Sequence, residues 1–274
     1  MQAPITSATS NRGNTILRIT LLGHPDIASL LAMNLLVQQL PQHRFSVLMS
    51  SGEFSSGKPL ADELESLEAT EADYGRRFLA GELGVAPAAP LRTTLEPALD
   101  KPNAPEGLDR LASTEPDLIV SIRYHRILKS DAIRMPGLGV LNLHSGLLPE
   151  YRGVMATFWA MLNGESSYGT TIHRIVDGTI DTGPAFVRHE CPLDLSQSYL
   201  SNVVSLYPQA CRALAGLIDT LEHGGAAECR PGGEGRYFSV PTEADFTRFA
   251  ERELTLTDER DEQRIRMCAK LDVN

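Results

Sequence analysis

The apolar positions of this chain fall into short runs and helical stripes that alternate through its first half. Residues 16–23 read I-L-R-I-T-L-L-G, a short apolar run closed by glycine, which predicts a strand. Over residues 24–40, Ile27, Leu30, Leu31, Leu35 and Leu36 recur at helical spacing, and residues 45–49 form a second strand-like run. A strand, a helix and another strand in that order predict a parallel sheet with crossover helices. Residues 60–83 are acidic and helix-forming, with Leu64, Leu67, Phe78 and Leu79 as buried positions and the charges on a solvated face. The proline-rich stretch 85–105 is expected to hold one short strand, 91–95, between loops, with a brief helix after it.

Two apolar runs then stand out, D-L-I-V-S at 117–121 and G-V-L-N-L at 139–143, both predicted as buried strands. A helix follows over 154–162 with Gly164 as its stop, and two further strands are expected at 169–175 and 185–191. Asp194 and Gln197 are spaced as a capping pair opening a long helix, whose stripe includes Leu200, Val204, Tyr207, Leu214 and Ile218. Pro208 is expected to kink that helix or mark a restart. Beyond His223 the chain is glycine-rich, with one strand around 237–240 and a charged tail. The pattern predicts an α/β fold of three layers, Rossmann-like, with a mostly parallel sheet. It divides into a disordered lead-in at 1–15, one large domain over 16–223 and a short C-terminal extension over 224–274.

Charge and cysteine usage narrow the function. With 25 Lys plus Arg against 35 Asp plus Glu, the formal net charge is −10, which weighs against a nucleic-acid partner. No apolar run has the roughly 18 to 20 residues a membrane helix needs, and the polar first residues resemble neither a signal nor a transit peptide. A cytoplasmic protein is expected. Cys191, Cys211, Cys229 and Cys268 form no C-x-x-C pair, so free thiols are expected rather than a disulfide scaffold or a zinc ribbon.

The chemistry is concentrated in G-V-L-N-L-H-S-G-L-L-P-E-Y-R-G at 139–153 and G-T-T-I-H-R-I-V-D-G-T-I-D-T-G-P at 169–184. Asn142 and His144 sit two apart on a strand, so their side chains share one face. At the carboxyl end of a parallel strand that face opens onto the ligand crevice of an α/β sheet. Asp181, flanked by glycines in a loop between two strands, can reach the same crevice. An amide, an imidazole and a carboxylate together suit acyl-type transfer: the first donates to an oxyanion, the second moves a proton and the third orients the imidazole. Taken alone, a histidine at a strand end also fits a structural role, and D-x-G also fits a plain turn. A zinc reading through His173, His189 and Asp181 fits no closed zinc spacing, so no metal is expected, and His173 and His189 are assigned surface or core roles.

The two motifs and their spacing resemble the catalytic core of the folate-dependent formyltransferases, whose signature is N-x-H-x-S-L-L-P followed about thirty residues later by a D-x-G loop. Matches at 151–153 and 162–164 support the resemblance, which covers 121–193 most closely; Gly146 departs from it, since the family usually has serine there. The resemblance implies 10-formyltetrahydrofolate as formyl donor and an amine as acceptor. Asn142 and His144 would bind the developing oxyanion of a tetrahedral intermediate, and His144 or a water held by Asp181 would take the amine proton. It also implies pterin binding by the loop containing Arg126, Ile127 and Leu128 and by the loop of Val176, Asp177, Gly178, Thr179 and Ile180.

Within that family, too few residues follow His223 for the C-terminal barrel of methionyl-tRNA formyltransferases, and the acidic stretch 60–83 and the tail fit glycinamide ribonucleotide formyltransferases poorly. The expected acceptor is a small biosynthetic molecule, either a nucleotide-linked amino sugar or an amino-acid-derived amine, with the sequence deciding neither. The alternatives are a 10-formyltetrahydrofolate hydrolase, which uses the same trio with water, and a methionyl-tRNA formyltransferase-like enzyme. The long apolar helix and the extension offer a surface for a homodimer.

Overall fold

A run that is apolar without alternation belongs inside a sheet covered on both faces. In a computed structural model of the chain, which describes residues 16–51, 61–93, 97–225 and 227–270, the first such run is β1 (Arg18–Gly23). It is followed by α1 (Ile27–Gln39), β2 (Arg44–Met49) and α2 (Asp62–Leu79). Next come the short α3 (Ala89–Arg92), α4 (Pro105–Ser113), β3 (Leu118–Ile122), α5 (Ser130–Arg134) and β4 (Val140–His144). The second half holds β5 (Arg152–Gly153), α6 (Ala156–Asn163), β6 (Ser167–Ile175), β7 (Ala185–Pro192) and α7 (Tyr199–Glu222). Last come β8 (Tyr237–Phe238), α8 (Glu243–Glu251) and α9 (Asp261–Ala269).

The main sheet has the order β2-β1-β3-β4-β6-β7. The first three pairings are parallel, while β6 runs antiparallel to β4 and β7 antiparallel to β6. The fold is therefore the expected mostly parallel, three-layer α/β arrangement. Because β2 lies on one side of β1 and β3 on the other, the strand order reverses between β1 and β3. That switch point is where open α/β sheets place their ligand crevice.

Helix α1 is buried from Ile27 through Val37, as a helix must be when sheet and helices enclose it on every side. It packs against α7 and α2 on one face of the sheet, while α4 and α5 cover the other face over Leu22, Ile119 and Val140. The acidic stretch is indeed a helix with Leu64, Leu67 and Phe78 buried and Leu79 partly so, but its charges are not all solvated, since Glu71 is 4% exposed. The strand expected at 91–95 is instead the end of α3, through Arg92, and a turn at Thr93, and Pro90 suits the first turn of that helix; 94 and 95 lie outside the described residues, as does the lead-in at 1–15.

The long helix α7 starts later than its expected cap. Ser198 is the N-cap, its hydroxyl accepting from Ser201 N at 2.9 Å, and Asp194 closes a separate turn on Ser196 and Gln197. The helix runs unbroken through Pro208. At its N-terminus the fully buried Asp261 of α9 accepts from the Ser198 and Ser201 hydroxyls, placing a carboxylate where the helix dipole favours one. The residues past 223 also join the core elsewhere: Phe246 and Phe249 pack on Phe158 with ring centroids 5.1 and 4.5 Å apart, and β8 pairs with β5. Among the described residues no helix is long and apolar enough to cross a membrane.

Phe158 is fully buried at this junction, so Phe158→Ala should lower the unfolding free energy by about 3–5 kcal/mol, measured by denaturant melts. A loss below about 1 kcal/mol would mean that the extension does not share the core.

Candidate active site

The carboxyl ends of β3 and β4 open onto a cavity of about 340 Å³. Asn142, His144 and Asp181 all line it, so the three residues expected to act together do meet. Asn142 and His144 project from alternate positions of β4, and the antiparallel pairing sets Asn142 opposite His173 on β6. Asp181 reaches them from the β6–β7 loop in a left-handed backbone conformation, φ +54°.

Asp181 is the junction of the site. Its Oδ2 accepts the Gly153 N–H at 2.8 Å and lies 3.6 Å from His144 Nδ1. Its Oδ1 lies 3.3 Å from His173 Nε2 and 3.4 Å from the Asn142 amide nitrogen. Burial alone would raise this carboxyl, but the His144 imidazole, the His173 hydrogen bond and the Gly153 N–H outweigh it and hold Asp181 well below the usual carboxylate range.

His144 is 7% exposed, and its Nε2 lies 2.7 Å from the Tyr151 carbonyl oxygen. A carbonyl only accepts, so Nε2 carries the proton and Nδ1, in the neutral ring, carries the lone pair. The orientation that the sequence assigns to Asp181 is thus shared: the Tyr151 carbonyl fixes the ring, and Asp181 faces the nitrogen that can take a proton. Gly146, the departure from the family pattern, permits this. A Cβ there would sit 2.6 Å from both His144 Nε2 and the Ala156 Cβ.

The match at 151–153 acquires a purpose residue by residue. Tyr151 gives its carbonyl to His144, Arg152 donates to the Ile180 carbonyl from Nε at 3.1 Å and Nη2 at 2.9 Å, and Gly153 gives its N–H to Asp181. Position 153 needs glycine, because φ is +98° and a Cβ would lie 2.1 Å from the Phe238 carbonyl oxygen.

His173, assigned a surface or core role from the sequence, belongs to the site. It is 2% exposed, lines the cavity, and its Nε2 lies 3.0 Å from the Asn142 amide nitrogen as well as 3.3 Å from Asp181. One ring nitrogen cannot donate to Asp181 and accept from Asn142 at once, so its protonation state governs what the Asn142 amide can offer the cavity. His189 does not join it: it stands opposite Thr170 on β7, outside the cavity lining.

Of the loop residues expected to hold a pterin, Arg126, Ile127, Leu128, Asp177, Gly178, Thr179 and Ile180 line the cavity. Val176 does not, and it is 51% exposed. Asp177 accepts from Thr179 N at 2.8 Å, closing its loop as a turn.

At the other end of the cavity lies a buried ionic group that the sequence did not reveal. Arg123, at φ +54° just past β3, donates from Nε to Asp26 at 3.0 Å and from Nη2 to Glu71 at 3.0 Å. Asp26 also caps α1 through Ser29 N at 2.8 Å. Burial pushes both carboxyls up; the Arg123 guanidinium and neighbouring histidines reverse this for Asp26, whereas Glu71 rises to about 7.

Residues 87–204, less than half of the chain, match the family model described as formyl transferase. ArnA, the bifunctional polymyxin resistance protein of Wigglesworthia glossinidia brevipalpis, is 36% identical over 106 residues, 39% of this chain and 15% of that protein. The methionyl-tRNA formyltransferase of Geotalea uraniireducens is 33% identical over 124 residues, 45% of this chain and 39% of that enzyme. These matches thus span less than half the length of either curated relative. A 4-N formyltransferase from Francisella tularensis shares the fold with TM-score 0.55 at 16% identity, over 92% of this chain and 87% of that one. HypX from Aquifex aeolicus in complex with tetrahydrofolic acid does so with TM-score 0.55 at 16% identity, over 95% of this chain and 35% of its own.

Because folding lowers the Asp181 carboxyl, its contribution to stability is complete above the ordinary value of 3.8 and is lost as pH falls toward the folded value. Asp181→Asn should therefore be less stable than wild type near neutral pH and lose less on acidification. Parallel acid limbs in pH-dependent melts would contradict this placement.

Proposed function

We propose that the chain transfers a formyl group from 10-formyltetrahydrofolate to the amine of a small molecule. The observation that carries this reading is the convergence of Asn142, His144 and Asp181 on one cavity. The formyl transferase domain match supports the reaction class.

The cavity suits the donor. Its volume, about 340 Å³, lies in the small-molecule range, and Leu128, Leu143 and Ile175 give apolar walls between the loops at 126–128 and 177–180. When bound, the donor supplies a formyl group on a nitrogen that can leave. The Asn142 amide, at the cavity wall, donates to oxygen as negative charge grows on it. His144 Nδ1, free of the Tyr151 carbonyl, takes a proton from the attacking amine, and Asp181 at 3.6 Å stabilises the imidazolium formed. The same nitrogen returns the proton to the leaving group. The acidic composition supports a small acceptor over a nucleic acid.

In assays following tetrahydrofolate release with a panel of amines, Asn142→Ala should lower kcat by ~10²- to 10³-fold while folate binding is retained. Release at equal rate without any amine would favour the hydrolase, and an unchanged kcat in the variant would remove Asn142 from the chemistry.

A further inference from the structure

The last turn of α7 gathers three side chains that formyl transfer does not use. Asp219, Glu222 and the C-cap His223 stand three and four positions apart, so they share one face of the helix. A carboxylate oxygen of Asp219, one of Glu222 and a ring nitrogen of His223 all lie within 4.8 Å of one another. None of the three lines the catalytic cavity.

Asp219 and His223 have side chains 64% and 47% exposed, and alone they would be an ordinary solvated pair. Glu222 sets the group apart. Its side chain is 2% exposed, and its Oε1 is buried with no hydrogen-bond partner among the described residues. The other oxygen, Oε2, faces His43 Nε2 at 3.6 Å. His43 Nδ1 accepts from the Leu17 N–H at 3.3 Å, so Nε2 carries the proton and occupies that side of the carboxylate. Oε1 keeps its lone pairs, and burying such an atom with nothing to meet them costs free energy that a bound cation offsets.

His223 is arranged to match. Its Nδ1 lies 2.7 Å from the Asp219 carbonyl oxygen, which only accepts, so Nε2 carries the lone pair of the neutral ring. A ring N–H held by a backbone carbonyl is what fixes the tautomer of a metal-binding histidine. The carboxyl end of a helix also favours a cation, because the helix dipole places partial negative charge there.

We propose that Asp219, Glu222 and His223 bind a divalent transition-metal ion, with zinc the one that fits best. One imidazole with two carboxylates suits zinc and its first-row neighbours, whereas magnesium and calcium take oxygen ligands. Water completes the coordination on the exposed side. The ion is structural: through Glu222 it ties the end of α7 to His43, where the chain leaves the helix for the segment leading to β8.

The test titrates the chelator-treated full chain with zinc chloride and, separately, with magnesium chloride, by calorimetry and thermal melts. One zinc per chain should bind and raise the melting temperature, and magnesium should do neither. Asp219→Asn and His223→Ala replace exposed side chains, so both should fold. Each should weaken zinc binding by at least ~10-fold and shrink the zinc-dependent rise. No zinc bound, or magnesium bound equally well, would overturn the proposal. So would zinc held with full affinity by both variants, which would place it on other side chains such as the exposed Cys229.

Discussion

One carboxylate in a left-handed loop organises this site. Asp181 receives a backbone N–H from Gly153 and faces the His144 imidazole and Asn142 amide of β4 and the His173 imidazole of β6. A buried carboxylate with so many donors must stay ionised, and its charge fixes what its neighbours can do. Its Oδ2 faces His144 Nδ1, and His173 and Asn142 compete for its second oxygen. Without Asp181 the Gly153 N–H would lose its acceptor, and the His144 and His173 rings, whose centroids lie 6.5 Å apart, would lose the group that joins them.

Much of this was legible in the sequence because its causes are local. Asn142 and His144 share a face through the two-residue period of a strand, and the glycines around Asp181 mark a loop. His173 was not legible, because its role depends on register. Only when β6 is laid antiparallel against β4 does it fall opposite Asn142. The sequence signal was present, since G-T-T-I-H places the histidine on a definite strand face, but which neighbour that face meets is a tertiary fact.

The ion group of Asp26, Glu71 and Arg123 was hidden for a related reason. Its members come from the start of α1, the middle of α2 and the end of β3, and nothing in α2 separates Glu71 from its solvated acidic neighbours except where the helix packs. Similarly, Asp194 and Gln197 had capping chemistry, yet Ser198 took the cap because Asp261, far along the chain, completes it. These contacts link the switch point of the sheet to the wall of α2. A charge balance set by packing thereby reaches the cavity that the catalytic residues share.

The most direct test of the account follows the formyl carbon itself. The protein would be given 10-formyltetrahydrofolate with an isotopic label in the formyl group, with and without a panel of small-molecule amines, and the products identified by mass spectrometry. The account predicts label in the formylated amine, one equivalent for each tetrahydrofolate released, and none moved by Asp181→Ala. Label recovered only as formate, whether or not the amine is present, would contradict it.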